Sequence, residues 1–211
     1  MNSRIYKHIG AGFVIVLFFN LTAPAQVQKF NVGLFGGINV SQISGDPYSG
    51  FNKLGFNAGL YVNHPIDDHI CWQVEIKYGT RGVYEGPTDN NQTLYKSGFH
   101  IIELPLSVNY LFDNKILLEV GTSPEVLVTI LFWDEGGLID KSNYNYEYRR
   151  FGLSVFAGIG YQINDRIMAG LRYTNSAIPI RDPEEWNDPQ INPGDFHNVI
   201  SFTLGYKINK P

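Results

Sequence analysis

Cysteine is nearly absent: Cys71 is the only one in 211 residues, so no internal disulfide can hold the fold together in any redox compartment. The plain reading of this residue is a small side chain filling a wall. Long apolar runs are also missing after the first 25 residues. None reaches the roughly 18 residues that a membrane-crossing helix needs, so a membrane-embedded chain of this kind must cross with strands. Basic charge is scarce. The 16 Lys and Arg face 20 Asp and Glu for a net charge of -4, and no segment carries a basic stripe, which argues against a nucleic-acid partner. A phosphate-cradling glycine loop is lacking too, because Gly33 to Gly37 sit inside a strand-like stretch with no helix after it.

What is present begins with an export signal. Arg4, Lys7 and His8 make a basic start, residues 9–21 form an apolar run of about 13, and Ala23-Pro24-Ala25 supply the small residues a signal peptidase needs before Gln26. Residues 1–25 are therefore expected to be cleaved, leaving 26–211 as one domain with a net charge of -6. The run is too short to span a bilayer, and no Cys follows it for lipid attachment.

The rest of the chain alternates. Eight stretches (30–43, 54–63, 69–81, 99–112, 115–131, 151–163, 166–174 and 199–208) carry apolar side chains at every second position. Leu54, Phe56, Ala58, Leu60 and Val62 oppose Gly55, Asn57, Gly59, Tyr61 and Asn63, and Ile200, Phe202, Leu204 and Tyr206 oppose Ser201, Thr203, Gly205 and Lys207. A soluble barrel would put its apolar set inside. Here the apolar set is the continuous one and the other set is Asn, Gln, charged residues and Gly, which is the pattern of a barrel in lipid. Short connections at 65–68, 113–114 and 164–165 alternate with long ones at 44–53, 83–98, 132–150 and 175–198. The predicted fold is therefore all-β: an eight-stranded antiparallel up-and-down transmembrane β-barrel with short periplasmic turns and long extracellular loops. Phe30, Trp72, Tyr110, Phe112, Tyr161 and Tyr206 fall at turn ends, and Phe56, Tyr78, Phe151 and Tyr173 at loop ends, giving two aromatic girdles. Pro105 and Pro124 mark local weak points in the ladders.

Glu75, Glu103, Glu119 and Glu125 take the inward parity together with Lys77, Arg81, Arg172 and Lys207. Eight strands enclose only enough room for side chains, so these groups are expected to pair as a polar core and close the lumen to bulk flow; a proton- or ion-conducting path is the alternative. Wall glycines leave room for long partners such as Arg172. His100 and Glu103 have opposite parities and cannot share a site. His64 and His69 flank a turn, but two His do not complete a metal site, and no metal or cofactor is expected. Asp195 and His197 could activate a water, with a solvated turn as the simpler reading. The last loop carries Asp182, Glu184, Glu185, Trp186, Asp188 and Asp195 against Arg181 alone, stiffened by Pro183, Pro189 and Pro193. It is the candidate partner-binding loop for a protein or glycan, against the reading of a solvated loop. Tyr144, Tyr146 and Tyr148 offer sugar stacking or rim packing.

Gly33-Leu34-Phe35-Gly36-Gly37-Ile38-Asn39, Gly55-Phe56-Asn57-Ala58-Gly59-Leu60 and Ile102-Glu103-Leu104-Pro105-Leu106, extended by Gly158-Ile159-Gly160-Tyr161 and Leu171-Arg172-Tyr173, carry a family likeness. In these motifs the chain resembles the PorT-type outer-membrane β-barrel family, small barrels of Bacteroidetes-type Gram-negative bacteria. The resemblance spans the mature chain and implies a place in the cell outer membrane, surrounded by outer-membrane lipid and inserted by the barrel-assembly machinery. Through one founding member it also implies an association with type IX protein secretion. The final Asn209-Lys210-Pro211 departs from the terminal aromatic of such strands, leaving Tyr206 and Ile208 as the core of the assembly signal. The expectation is a non-enzymatic barrel with an occluded lumen that scaffolds or binds an envelope protein partner. The alternative is a rim-acting lipid or peptide hydrolase. A third reading, a secreted soluble barrel around a small ligand, requires the apolar set to point inward.

Overall fold

A computed structural model describes residues 30–45, 50–87, 94–113, 115–134, 136–139, 148–181 and 194–209. The strands are β1 (Asn31–Ser44), β2 (Lys53–Pro65), β3 (Ile70–Glu85), β4 (Tyr95–Glu103), β5 (Leu106–Phe112), β6 (Ile116–Asp134), β7 (Gly137–Ile139), β8 (Phe151–Gln162), β9 (Ile167–Ser176) and β10 (Phe196–Lys207). β4 and β5 are two halves of one stave, and β7 is a short extra strand paired with the far end of β6. The eight staves pair antiparallel in sequence order, and β1 pairs with β10 to close the ring. The fourth stave, expected as one strand over 99–112, is parted at Leu104-Pro105 because Pro105 has no N–H to donate. Its carbonyl still accepts from the Glu75 amide at 2.9 Å, and the Leu104 amide donates to the Pro124 carbonyl at 2.9 Å, so the wall holds through the break.

The barrel is inside out relative to a soluble one. Val120 is 63% exposed and Leu60 53%, whereas Asn109, Ser123 and Ser154 are fully buried in the lumen. Parity is kept along most strands and shifts once, on β6: His100 pairs with Thr129 but Ile101 with Leu127, leaving Val128 as the extra residue of a bulge. Below the bulge Glu125 points inward, and above it Ile130 and Phe132 do.

Two of the three periplasmic turns are built alike. Asp67 accepts from the amides of His69 and Ile70, both at 2.7 Å, and Asn164 accepts from those of Arg166 and Ile167, both at 2.9 Å. The third turn takes Asp113 into the left-handed region at φ 49°, the conformation that a tight two-residue hairpin requires. At the opposite end the strands run further than their periodicity suggested: β3 continues to Glu85, β4 starts at Tyr95 and β6 reaches Asp134, so part of the expected long loops is sheet.

Two outcomes follow from this arrangement. Leu60 lies midway along β2 on the lipid face, so Leu60→Arg should cost about 2–4 kcal/mol in urea unfolding from phospholipid bilayers; a value near zero would mean that this face does not meet hydrocarbon. The two amides hold the Asp67 carboxyl below the usual carboxylate range. Because the folded value is the lowered one, this capping is complete above the unfolded value of about 3.9 and fades as pH falls through the folded value. The amide resonances of His69 and Ile70 should shift with a midpoint below about 3.9, while those of Arg166 and Ile167, capped by a non-titrating Asn, stay fixed.

Candidate functional site

The lumen charges meet because the register puts them in rows. Lys77, Glu103 and Glu125 are cross-strand neighbours on β3, β4 and β6, and Glu119, Gly158 and Arg172 are neighbours on β6, β8 and β9. Arg172 is the hub. Its Nε donates to Glu119 Oε1 at 2.7 Å, while Nη1 and Nη2 reach across the lumen to Glu75 at 3.0 and 2.6 Å, a two-pronged carboxylate contact. Phe156 packs under the guanidinium at 4.3 Å. Gly158 clears the path: a Cβ there would sit 2.4 Å from Glu119 Oε1. Lys77 contacts Glu103 at 2.8 Å and Arg81 contacts Glu125 at 2.6 Å, the latter also accepting from Ser154 at 2.9 Å. Glu103 Oε2 and Arg81 Nη2 make charge contacts without hydrogen-bond alignment. Lys207 stands apart from this layer. It lines the periplasmic mouth, because β10 carries it below the level of the carboxylates, and four Glu are left against three cations.

Free space falls steeply along the barrel axis. A vestibule of about 220 Å³ opens at the periplasmic turns, lined by Asn31, Tyr61, Asn63, Gln162 and Lys207. Around Arg172 and Glu119 it shrinks to about 40 Å³, and beside Arg81 and Thr174 to about 10 Å³, room for about one water. Above that lies an apolar plug of Ile43, Val83, Phe99, Ile101, Ile130, Phe132 and Ile180, all buried. The expected polar core of paired charges did not include this plug, although Phe99 and Ile101 share the parity of Glu103 and could have revealed it.

Other candidate residues are dispersed. His197 is buried edge-on against Phe99 at 4.8 Å, and Asp195, also buried, pairs with Arg181 Nε at 2.8 Å. Both are buried, so the solvated turn expected there is not found, and with Asp195 tied to Arg181 and His197 packed on Phe99 the two are not arranged as a water-activating pair. His100 meets Tyr78 on the outer face while Glu103 is in the lumen. His64 stacks near Phe30 and Trp72, and His69 on Tyr110. Among the described residues no His, Cys, Asp and Glu group could hold a metal ion. Asp182, Glu184, Glu185, Trp186 and Asp188 lie outside the described residues, as do Tyr144 and Tyr146.

Sequence reasoning also missed a feature above the outer girdle. Tyr84, Lys96, Trp133 and Leu138 are successive cross-strand neighbours on β3, β4, β6 and β7, forming one outward row. Lys96 Nζ lies 4.5 Å over the Trp133 ring, and Leu138 is 64% exposed.

The sequence of this closed eight-stave barrel matches, over residues 24–180, a family model described as outer membrane protein beta-barrel domain. The chain belongs to this outer-membrane β-barrel family. Among solved structures it is similar to Ail, the attachment invasion locus protein of Yersinia pestis, at 14% identity and a TM-score of 0.51, covering 85% of this chain and 99% of that one. It is similar also to Neisserial surface protein A at 13% identity and a TM-score of 0.53, covering 85% and 97%. No curated protein matches it by sequence. These structural likenesses concern the fold, and with the family they assign the protein to the cell outer membrane. What the family and these likenesses show is a small outer-membrane β-barrel.

Removing the Arg172 head leaves Glu75 and Glu119 buried without their shared cation. Arg172→Met should therefore destabilise the barrel by about 3–5 kcal/mol in urea unfolding. Adding Glu75→Gln should recover part of that loss, and strictly additive effects would mean that the two residues are not coupled.

Proposed function

We propose that this outer-membrane barrel is non-enzymatic and binds a partner through the sheet standing above its outer girdle. The observation that carries this reading is the row Tyr84, Lys96, Trp133 and Leu138. Aromatic and aliphatic faces beside a cation, presented on rigid paired strands, suit a protein or glycan surface. The structurally similar Ail is named for attachment, and outward adhesion of that general kind is the role we infer. The acidic loop bearing Trp186 is a proposed second contact. Residues 1–25 are proposed as the export signal of a barrel formed by 26–211, with the barrel-assembly machinery as the insertion partner, supported by the N-terminal pattern and the terminal strand. As a narrower reading, the PorT-type motifs favour a partner in type IX protein secretion.

A rim-acting hydrolase fits less well, because Asp195 is tied to Arg181 and His197 is packed against Phe99. A photo-crosslinking residue at Leu138 in intact cells should capture one defined partner, while the same probe at Leu60 on the lipid face captures none. Capture from Leu138 should fall at least tenfold with Trp133→Ala or Lys96→Glu. Turnover of phospholipid or casein by the purified barrel, abolished by Asp195→Asn, would overturn the proposal.

A further inference from the structure

On the lipid face a groove of about 300 Å³ lies across β8, β9 and β10. Its floor is Ala169, the one small side chain in the outward series Ile167, Ala169, Leu171 and Tyr173 of β9. Its walls are Ile159, Tyr161, Leu171 and Phe202. The register partners of Ala169 are Tyr161 on β8 and Leu204 on β10, two strand spacings or roughly 10 Å apart. The gap between these large side chains is therefore the width of one strand with almost no side chain on it.

The periplasmic end of this groove carries a cation on the outer wall. Arg166 stands on the rim of the vestibule, which it also lines, and its Nη1 donates to the hydroxyl of Tyr206 at 3.0 Å; Tyr206 faces lipid at 40% exposure, so the guanidinium reaches the outer wall. Lys115, in the neighbouring turn next to Ile116 of the groove, is also exposed. Among the described residues neither Arg166 nor Lys115 makes an ion pair. The single bond from Arg166 leaves most of its five N–H donors unused, and the Tyr206 hydroxyl, which accepts that bond, keeps its own hydrogen to donate. Tyr161 and Tyr206 belong to the turn-end girdle, the level of lipid headgroups.

We propose that this surface binds a phospholipid of the periplasmic leaflet. Its phosphate sits on Arg166 and the Tyr206 hydroxyl, with Lys115 flanking, and one acyl chain lies over Ala169 between Tyr161 and Leu204. Charge complementarity selects the headgroup, and the groove runs from that headgroup into the hydrocarbon, so one molecule satisfies both ends.

The test is native mass spectrometry of the barrel in dodecyl maltoside, titrated with dioleoyl phosphatidylglycerol and, separately, with dioleoylglycerol, which lacks the phosphate. The wild type should retain one phosphatidylglycerol and release dioleoylglycerol. Arg166→Gln should weaken retention about tenfold, or roughly 1.4 kcal/mol, and Arg166→Lys should restore most of it. Ala169→Leu, which fills the groove without touching charge, should weaken it to a similar degree. The two changes lie on different elements, and heat-modifiable gel mobility identifies the folded form of each. Equal retention by all folded variants, or equal retention of the two lipids by the wild type, would overturn the site.

Discussion

Every backbone amide that crosses the bilayer must find a partner in the protein, because hydrocarbon offers none, and that requirement dictates the closed ring. The seam between β1 and β10 is as continuous as any other, running from Gly33 opposite Lys207 to Ser44 opposite Phe196. Departures are tolerated only where neighbouring groups compensate. Pro105 interrupts its stave, yet its carbonyl and that of Pro124 are both used by amides of adjacent strands. Closure with eight staves then limits the radius, and the radius decides the lumen. A ring this narrow cannot hold bulk water, so inward side chains must fill it and satisfy one another. Arg172 on β9 is long enough to reach Glu75 on the opposite wall while holding Glu119 two staves away, and Gly158 removes the Cβ that would crowd Glu119.

The interior is consequently layered rather than uniform. The periplasmic end is open and polar, the middle is ionic, and the extracellular end is apolar. Each layer suits its surroundings: the vestibule meets water through its turns, while the plug is farthest from that opening. Such a sequence of narrowing spaces does not support passage of a solute along the axis. Chemistry with the outside world is left to the two rims and the outer wall.

Much of this was legible in the residues, for a specific reason. Period two has only two outcomes per strand, and lipid punishes the wrong one at every position, so Leu54 to Val62 or Ile200 to Tyr206 could be assigned face by face. The same logic grouped Glu75, Lys77, Arg81, Glu103, Glu119, Glu125 and Arg172 in the lumen, but it carries no depth. Depth is what separates Lys207 at the mouth from the ionic layer, and the plug from the charges beneath it. Nor does alternation register a bulge: Val128 shifts the parity of β6, so Ile130 and Phe132 turn inward although a strict count would turn them out. The ends of β3, β4 and β6 lie in the segments 83–98 and 132–150 that were expected as loops, and their partners, such as Trp133 for Lys96, are set by the closed ring and not by local alternation.

Above the outer girdle the two constraints relax together. Outward side chains no longer meet lipid, and inward ones no longer need to neutralise charge, so an extension of the sheet is free to take a sequence suited to contact. Its rigidity still has to come from somewhere. The inward row directly behind Tyr84, Lys96, Trp133 and Leu138 is Val83, Ser97, Phe132 and Ile139, and Val83 and Phe132 belong to the buried plug. Burying a side chain of that size contributes about 1.5–3 kcal/mol, comparable to the roughly 1–2 kcal/mol that ordering each backbone residue costs. The plug therefore both closes the lumen and holds the outer sheet as a preorganised surface, and a partner that docks on it need not supply the ordering itself.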